Sequence, residues 1–504
     1  MLLINPPVFK PSEPPAGIAK LAGALAANSV PCRMLDANIE GLLFLMGRPG
    51  TASDTWGRRA IRNSADNLAA LRGPATYCSL DRYKRAVRDV DRLLALASAG
   101  QGDIIGLSDH QHPVLSPLRS GDLITAAERH ERNPFSPYFQ HRLRQVIGQV
   151  PTQMVGISLN YLSQALTAFA MIGFIREEFP GLKVVLGGGL VTSWMKRPGW
   201  NDPFAGLVNL CIAGPGEGPL LDLLGVDPVK QLRGTPDYSA IPRQDYLSPG
   251  FILPYSGSSG CYWNRCSFCP ETAEDNPYLP VPPAAAMADI TSLTASTGPV
   301  LIHLLDNSVS PALMSALAKD PPGVPWYGFA RIGRDLADPD RCRELRQSGC
   351  VMLKLGLESG DQGVLDRMQK GIDLEQASQV LRNLSGAGIA TYVYLLFGAP
   401  EESSAEARKT LAFTVRHADA ISFLNLAVFN MPVCSQEAKD YETGTFYEGD
   451  LSLYTGFKHP CGWDRKVVRR FLNSEFKKHP AVSSILRHDP PVFTSNHAAF
   501  FTRP

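Results

Sequence analysis

The chain has 504 residues, 44% of them apolar and 19% charged, with 44 glycines and 41 prolines. That mixture describes a folded protein with ample core and excludes disorder, collagen and coiled coil. Lys+Arg 49 against Asp+Glu 48 leaves a net charge of +1, which speaks against a general nucleic-acid binder.

The first 220 residues alternate strand and helix patterns, the mark of a parallel α/β sheet. LLINPP (2–7) reads as a strand, PPAGIAKLAGALAANS (14–29) as a helix and CRMLDA (32–37) as a strand ending in Asp36. The series resumes with strand MVGISL (154–159), a helix around 163–179, strand KVVLGGG (183–189) and strand LVNLCIAG (207–214). Ala168, Ile172, Ile175 and Phe179 would share one face of that helix. Between about 38 and 150 the alternation stops. YKRAVRDVDRLLALASAG (83–100) is helical and the rest is polar and irregular, so this is an insertion in a first domain spanning 1–225. Residues 226–250, rich in Pro, Asp and Gly, read as a linker.

From 251 to 432 six apolar runs follow: FILPYSG, VLIHLLD, VPWYGFAR, VMLKLGLE, ATYVYLLFG and AISFLNLAVFN. They end in a cysteine loop, Asp306, Arg331, Glu358, Gly398 and Asn430. Polar residues at successive strand ends are how a (β/α) barrel builds its active site, and six units predict a partial barrel. Its interior is expected to be aromatic, with Trp326, Tyr327, Phe329, Tyr392 and Tyr394. Residues 433–504 form a small C-terminal module. No apolar run is long enough for a membrane span. MLLINPPVFKP does not read as a signal peptide, so a cytoplasmic location with mostly reduced cysteines is expected.

The sharpest feature is SSGCYWNRCSFCPE, which places Cys261, Cys266 and Cys269 in C-x4-C-x2-C spacing. Three thiolates can hold three corners of an iron–sulfur cluster and leave one iron open. They could also form a zinc loop closed by a distant ligand such as His303, or be structural thiols. The loop resembles that of the radical S-adenosylmethionine (SAM) superfamily, whose usual spacing is one residue shorter. The resemblance continues through LKLGLESGDQGVLDRMQKGI (353–372), YLLFGAPEE (394–402) and FLNLAVFNMP (423–432).

That resemblance implies a [4Fe–4S] cluster on Cys261, Cys266 and Cys269, and SAM on the open iron, cleaved to a 5′-deoxyadenosyl radical. It places Phe268 near the adenine, Glu358 on the ribose, and Gly398 and Pro400 along the adenine wall. Asp306 stands near the SAM amino group. Arg331 either binds the SAM carboxylate or pairs with Asp306 or Glu358.

An α/β domain ahead of such a barrel is commonly a cobalamin-binding domain, and the first domain resembles one. Gly187, Gly188 and Gly189 would admit a bulky planar ligand or nucleotide tail, and Ser158 and Thr192 would bond corrin amides. The Asp-x-His-x-x-Gly motif of mutase-type domains is absent. SDHQH (108–112) has the wrong spacing, and His110 and His112 are expected to be solvated.

The expected fold is therefore a Rossmann-like, cobalamin-binding-type domain followed by a partial (β/α)6 radical SAM barrel. The implied activity is cobalamin-dependent C-methylation of a small-molecule or peptide substrate, with a reductant such as flavodoxin or ferredoxin. Two alternatives remain. One is a radical SAM enzyme with a vestigial first domain that performs rearrangement, cyclisation or oxidation. The other is a non-enzymatic zinc or redox-sensing protein.

Overall fold

The computed structural model describes residues 1–226, 232–493 and 496–502. The chain divides into two compact units. One comprises Met1–Ile252 with Tyr447–Leu453 and Pro491–Phe493; the other comprises the remainder from Leu253. The residues past 432 are thus shared between the units and make no third one.

The first unit is built on a parallel sheet of β1 (Leu2–Asn5), β2 (Arg33–Asp36), β3 (Met154–Ser158), β4 (Lys183–Gly187) and β5 (Leu210–Cys211). Its order is β2-β1-β3-β4-β5, a doubly wound arrangement whose direction of winding reverses between β1 and β3. Leu3, Ile18, Leu25, Met154, Val185 and Leu221 pack one face of this sheet into a core.

The insertion differs from expectation. Besides the predicted helix, found at Leu80–Ser98, it forms helices at Ala37–Met46, Thr55–Arg62, Ser64–Arg72, Ser120–Glu128 and Ser136–Gln149. Several are short and bury few residues; Ser64–Arg72 buries only Leu71. Thr55–Arg62 buries only Gly57 and Ala60, and its start is fixed by Asp54 accepting from the Gly57 N–H at 2.8 Å. Insertion helices also explain a second difference. Helix Leu162–Glu178 is buried on every face from Gln164 to Ile175 and not on a single stripe, because Ser120–Glu128 packs across it.

Residues 232–250 are a packed return along the first unit and not a free linker; residues 227–231 of that predicted linker lie outside the described residues. Tyr238, Ile241, Tyr246 and Leu247 are buried, and the Tyr246 hydroxyl donates to Asp36 at 2.6 Å.

The second unit carries β6 (Ile252–Tyr255), β7 (Leu301–Leu304), β8 (Trp326–Ala330), β9 (Cys350–Glu358), β10 (Ala390–Phe397) and β11 (Phe423–Val428). They form one six-stranded sheet in sequential order, with β6 and β11 at its edges and parallel pairing from β7 to β11. This is the open, partial barrel. Register puts His303 beside Tyr327, Phe329 beside Lys354, and Lys354 beside Tyr392, so these side chains share one face. Tyr394, two residues beyond Tyr392, joins them and approaches Phe329 at 5.0 Å between ring centroids. Trp326 does not, because strand alternation turns it to the opposite face, where its indole N–H donates to Ser348. Among the described residues no helix is long and apolar enough to cross a membrane.

Candidate active site

The cysteine loop follows β6. Its middle residue Asn264 has φ +41°, a left-handed conformation that Asn tolerates and that accommodates the extra residue of the C-x4-C spacing. The Ser267 N–H donates to the Met368 carbonyl at 3.1 Å, and the Cys269 N–H to the Cys266 carbonyl at 3.2 Å. All three cysteines are free and partly exposed. Burial pushes the Cys266 thiol up to about 11, against the pull of Lys370. Burial likewise raises Cys269, which feels Cys261 as a neighbour. Among the described residues no three His, Cys, Asp or Glu side chains converge where one metal ion would sit. A cluster asks for less convergence, since each thiolate binds its own iron.

Around the loop stands a group of residues drawn from strand ends. Trp263 donates its indole N–H to the Gln369 carbonyl at 3.1 Å, and the Arg331 guanidinium stacks on its ring at 3.6 Å. Arg331 pairs with neither Asp306 nor Glu358, and donates instead to the carbonyls of Lys370 and Gly371. Gly371 has φ +63°, and a Cβ there would lie 2.4 Å from the Trp263 ring. Only glycine lets this turn close under the stack. Glu358, itself at φ +68°, ends β9 and binds Lys370 Nζ at 2.8 Å in a mostly buried pair.

Asp306 is buried and accepts from the Gly257 N–H at 3.0 Å and the Ser258 hydroxyl at 2.5 Å, so it anchors the entry to the cysteine loop. His303 is stacked on Tyr327 at 4.2 Å and lies 3.2 Å from Lys354 Nζ, in the barrel interior.

Phe268 packs against an apolar cluster of Val364, Met368, Ala399, Phe429 and Met431. The structure thereby brings it beside the Gly398–Pro400 turn. That turn is clamped from outside. Glu402 Oε2 accepts from the Gly398 N–H and the Trp463 indole N–H, both at 2.7 Å. His459 Nε2 donates to the Ala399 carbonyl at 2.9 Å, while its Nδ1 accepts from the backbone of Cys461 and Trp463.

Burial raises the Glu402 carboxyl from its ordinary 4.5 to about 7, and Oε1 is buried without a hydrogen bond. The folded chain therefore holds this proton to higher pH than the unfolded chain. The associated stability is full below pH about 4.5 and is lost as pH rises through about 7. A displacement of about 2.5 pH units is worth roughly 3 kcal/mol. Asp36, raised to about 6 by burial, acts in the same direction at lower pH. Glu402→Gln is expected to flatten the fall in melting temperature between pH about 4.5 and 7, measured by thermal denaturation across that range; an unchanged slope would assign it elsewhere.

Trp263, Lys370, Gly371 and Glu402 went unmarked in the sequence, although all lie within the motif stretches. Trp463 and His459 carry no local signal, since only the fold returns them to the 398–400 turn.

In the first unit a crevice of about 170 Å3 lies between the sheet and helices Ala16–Ala27 and Glu217–Leu223. Gly17, Ser158, Asn160, Gly187, Gly188 and Gly216 are among its lining, and a Lys20–Glu217 ion pair of 2.7 Å stands at its edge. Asn160 donates to Ser158 Oγ at 3.1 Å and accepts from the Gly189 N–H at 3.0 Å. Gly189 opens the short helix Gly189–Met195. Thr192, expected on a corrin amide, bonds Gly188 and Gly214 backbone instead. His110 is buried and not solvated, with Asp103 on Nε2 and Thr167 on Nδ1.

Residues 255–414 match the Radical SAM superfamily. The matched segment contains the cysteine loop, Asp306, Arg331, Glu358 and the Gly398–Pro400 turn. No curated protein matches the chain. Solved structures similar to it include the cobalamin-dependent SAM radical enzyme OxsB with aqua-cobalamin bound. It shows 17% identity and a TM-score of 0.46 over 60% of this chain and 50% of OxsB. The chain thus matches half the length of OxsB. The radical SAM methyltransferase TsrM from Kitasatospora setae, with cobalamin and a [4Fe–4S] cluster, shows 16% identity and a TM-score of 0.48, over 68% of this chain and 82% of TsrM. Coproporphyrinogen III oxidase from Escherichia coli shows 14% identity and a TM-score of 0.32, over 44% of this chain and 51% of its own.

Proposed function

We propose that the chain is a cobalamin-dependent radical SAM enzyme that C-methylates an unactivated carbon of a small-molecule or peptide substrate. The observation that carries the reading is the cysteine loop within the segment that matches the radical SAM model, backed by Arg331, Lys370 and Glu358. Cys261, Cys266 and Cys269 would hold a [4Fe–4S] cluster, and the donor set fits, with three thiols and no fourth in the loop. Ser158, Gly187, Gly188 and Gly189 would border a corrinoid, and the crevice suits a ligand that approaches backbone closely, because glycines such as Gly17, Gly187, Gly188 and Gly216 interrupt its apolar lining. When bound, the cluster supplies an electron to the SAM sulfonium bond and the corrinoid a transferable methyl group.

The protein's own residues have distinct tasks. Lys370 and Arg331 set two cations beside Cys266, offsetting the negative charge that thiolates bring to a half-buried loop. Arg331 spends Nη2 on backbone carbonyls and keeps its other N–H groups for the SAM carboxylate. Glu358 accepts from the ribose hydroxyls while Lys370 fixes its orientation. Phe268 and the clamped 398–400 turn give the adenine an apolar seat, and Asp306 holds the loop entry. Both His110 nitrogens are taken, so a corrinoid would receive no lower ligand from it.

Anaerobic reconstitution with iron, sulfide and hydroxocobalamin tests the reading. Expected are cluster absorbance, corrinoid retained through gel filtration, and 5′-deoxyadenosine formed from SAM under reductant. Cluster and 5′-deoxyadenosine without retained corrinoid would overturn the methylation. Zinc without iron or sulfide would overturn the enzyme.

A further inference from the structure

The helical insertion holds a cavity of its own. It measures about 220 Å3 and is lined from residues 103–115, from Ser120–Glu128 and the turn after it, and from Leu166. It shares no residue with the glycine crevice. Leu115, Ala126 and Leu166 give it an apolar wall, and Val114, 76% exposed, stands at its mouth.

The polar lining is sorted by its hydrogen bonds. His110 and Asp103 are both buried and meet at 2.8 Å, while the other His110 nitrogen faces Thr167 Oγ1 at 3.3 Å. Asn133 also donates to Thr167. These groups satisfy one another and make a fixed wall. His112 differs. Its Nδ1 accepts from the N–H groups of Val114 and Leu115 at 3.1 and 2.8 Å, which places the ring proton on Nε2 as a donor. Arg129 and Arg132 complete the lining. Arg132 has only a loose approach of 3.9 Å to Glu131, and the Arg129 guanidinium makes no hydrogen bond or ion pair among the described residues. Cations are favoured past a helix C-terminus in any case. That preference does not account for a cavity with an apolar floor and an exposed valine at its entrance.

We propose that this cavity binds a small organic anion, a compact apolar body carrying a carboxylate or phosphate head. The head is recognised by Arg129, Arg132 and His112 Nε2–H, and the body packs on Leu115, Leu166 and Val114. Guanidinium forks suit either oxyanion. Size narrows the class: a cavity of about 150 Å3 accepts benzene, so this one holds a single ring or short branched chain within its walls. The site is independent of the chemistry proposed for the cysteine loop.

Calorimetric titration of the full chain with benzoate, phenyl phosphate and neutral benzyl alcohol tests this. At least one of the two anions is expected to bind saturably at one site per chain, with benzyl alcohol weaker by about tenfold or more. Binding of both anions would mean that charge and size suffice, and binding of one alone would identify the head group. Arg129→Gln with Arg132→Gln is expected to weaken anion binding by about tenfold or more at an unchanged melting temperature. Both arginines are exposed, so the variant should fold. The proposal is overturned by failure of both anions to saturate, by equal binding of the alcohol, or by undiminished binding in the double variant.

Discussion

Cys266→Ala is expected to abolish cluster assembly and to reduce 5′-deoxyadenosine formation to background. The reason lies in what the thiol does and does not support. The loop around it is held by backbone bonds, Ser267 to Met368 and Cys269 to Cys266, and by the Trp263 indole on the Gln369 carbonyl. None of these uses the Cys266 sulfur, so the fold should survive its removal. The cluster should not survive. With Cys266 gone, a cube already short of one protein ligand would expose a second iron, and the positive charges of Lys370 and Arg331 would no longer have the Cys266 thiolate to act on. Loss of a partner behind a metal ligand costs roughly 10–100-fold in affinity or activity, and loss of the ligand itself should exceed that. Iron and acid-labile sulfide per chain, the melting temperature and the SAM-cleavage rate are the three measurements. Cys78→Ala, at an exposed cysteine remote from the loop in sequence, serves as the control and should match wild type in all of them. Wild-type cleavage in Cys266→Ala would remove the mechanism.

The strands of both sheets were legible because their signal is local. Runs such as VMLKLGLE and ATYVYLLF are mostly apolar and of strand length, and the structure places them within a residue or two of expectation. The insertion was illegible for the converse reason. Helices such as Ser64–Arg72 bury a single residue, Leu71, and carry little apolar periodicity. The site divides along the same line. Cysteine spacing and the acid at the end of β9 are visible in the chain. The Arg331–Trp263 stack and the Glu402–Trp463 clamp are not, because each joins residues more than 60 positions apart that only folding brings together. Trp326 shows how a correct strand can still mislead: apolar on both faces, it offers no alternation from which to choose the interior side.

Gly188→Val is expected to prevent corrinoid retention while leaving the iron content of the chain intact. Gly188 has φ +111° and ψ 175°, a region essentially restricted to glycine. A side chain there also lacks room, since its Cβ would come within 2.4 Å of the Leu159 carbonyl oxygen and 2.9 Å of Asn160 Oδ1. Backbone strain of this kind costs about 1–3 kcal/mol, and the Leu159 carbonyl is a poor atom to displace because its neighbouring N–H is fixed to Gly187 at 2.7 Å. The chain would relieve the clash by moving Asn160, which also positions Ser158 and Gly189, so one substitution would disturb the whole lip of the crevice. A fall in corrinoid affinity of about tenfold or more corresponds to only ~1.4 kcal/mol, less than the upper end of that strain. Retention is measured as corrinoid absorbance per chain after gel filtration, beside iron content and melting temperature. A Gly188→Val protein with wild-type corrinoid loading would place the ligand elsewhere. Loss of corrinoid and iron together would indicate general unfolding, and the milder Gly188→Ala, with the same positive φ and a single added carbon, would then decide between strain and occupancy.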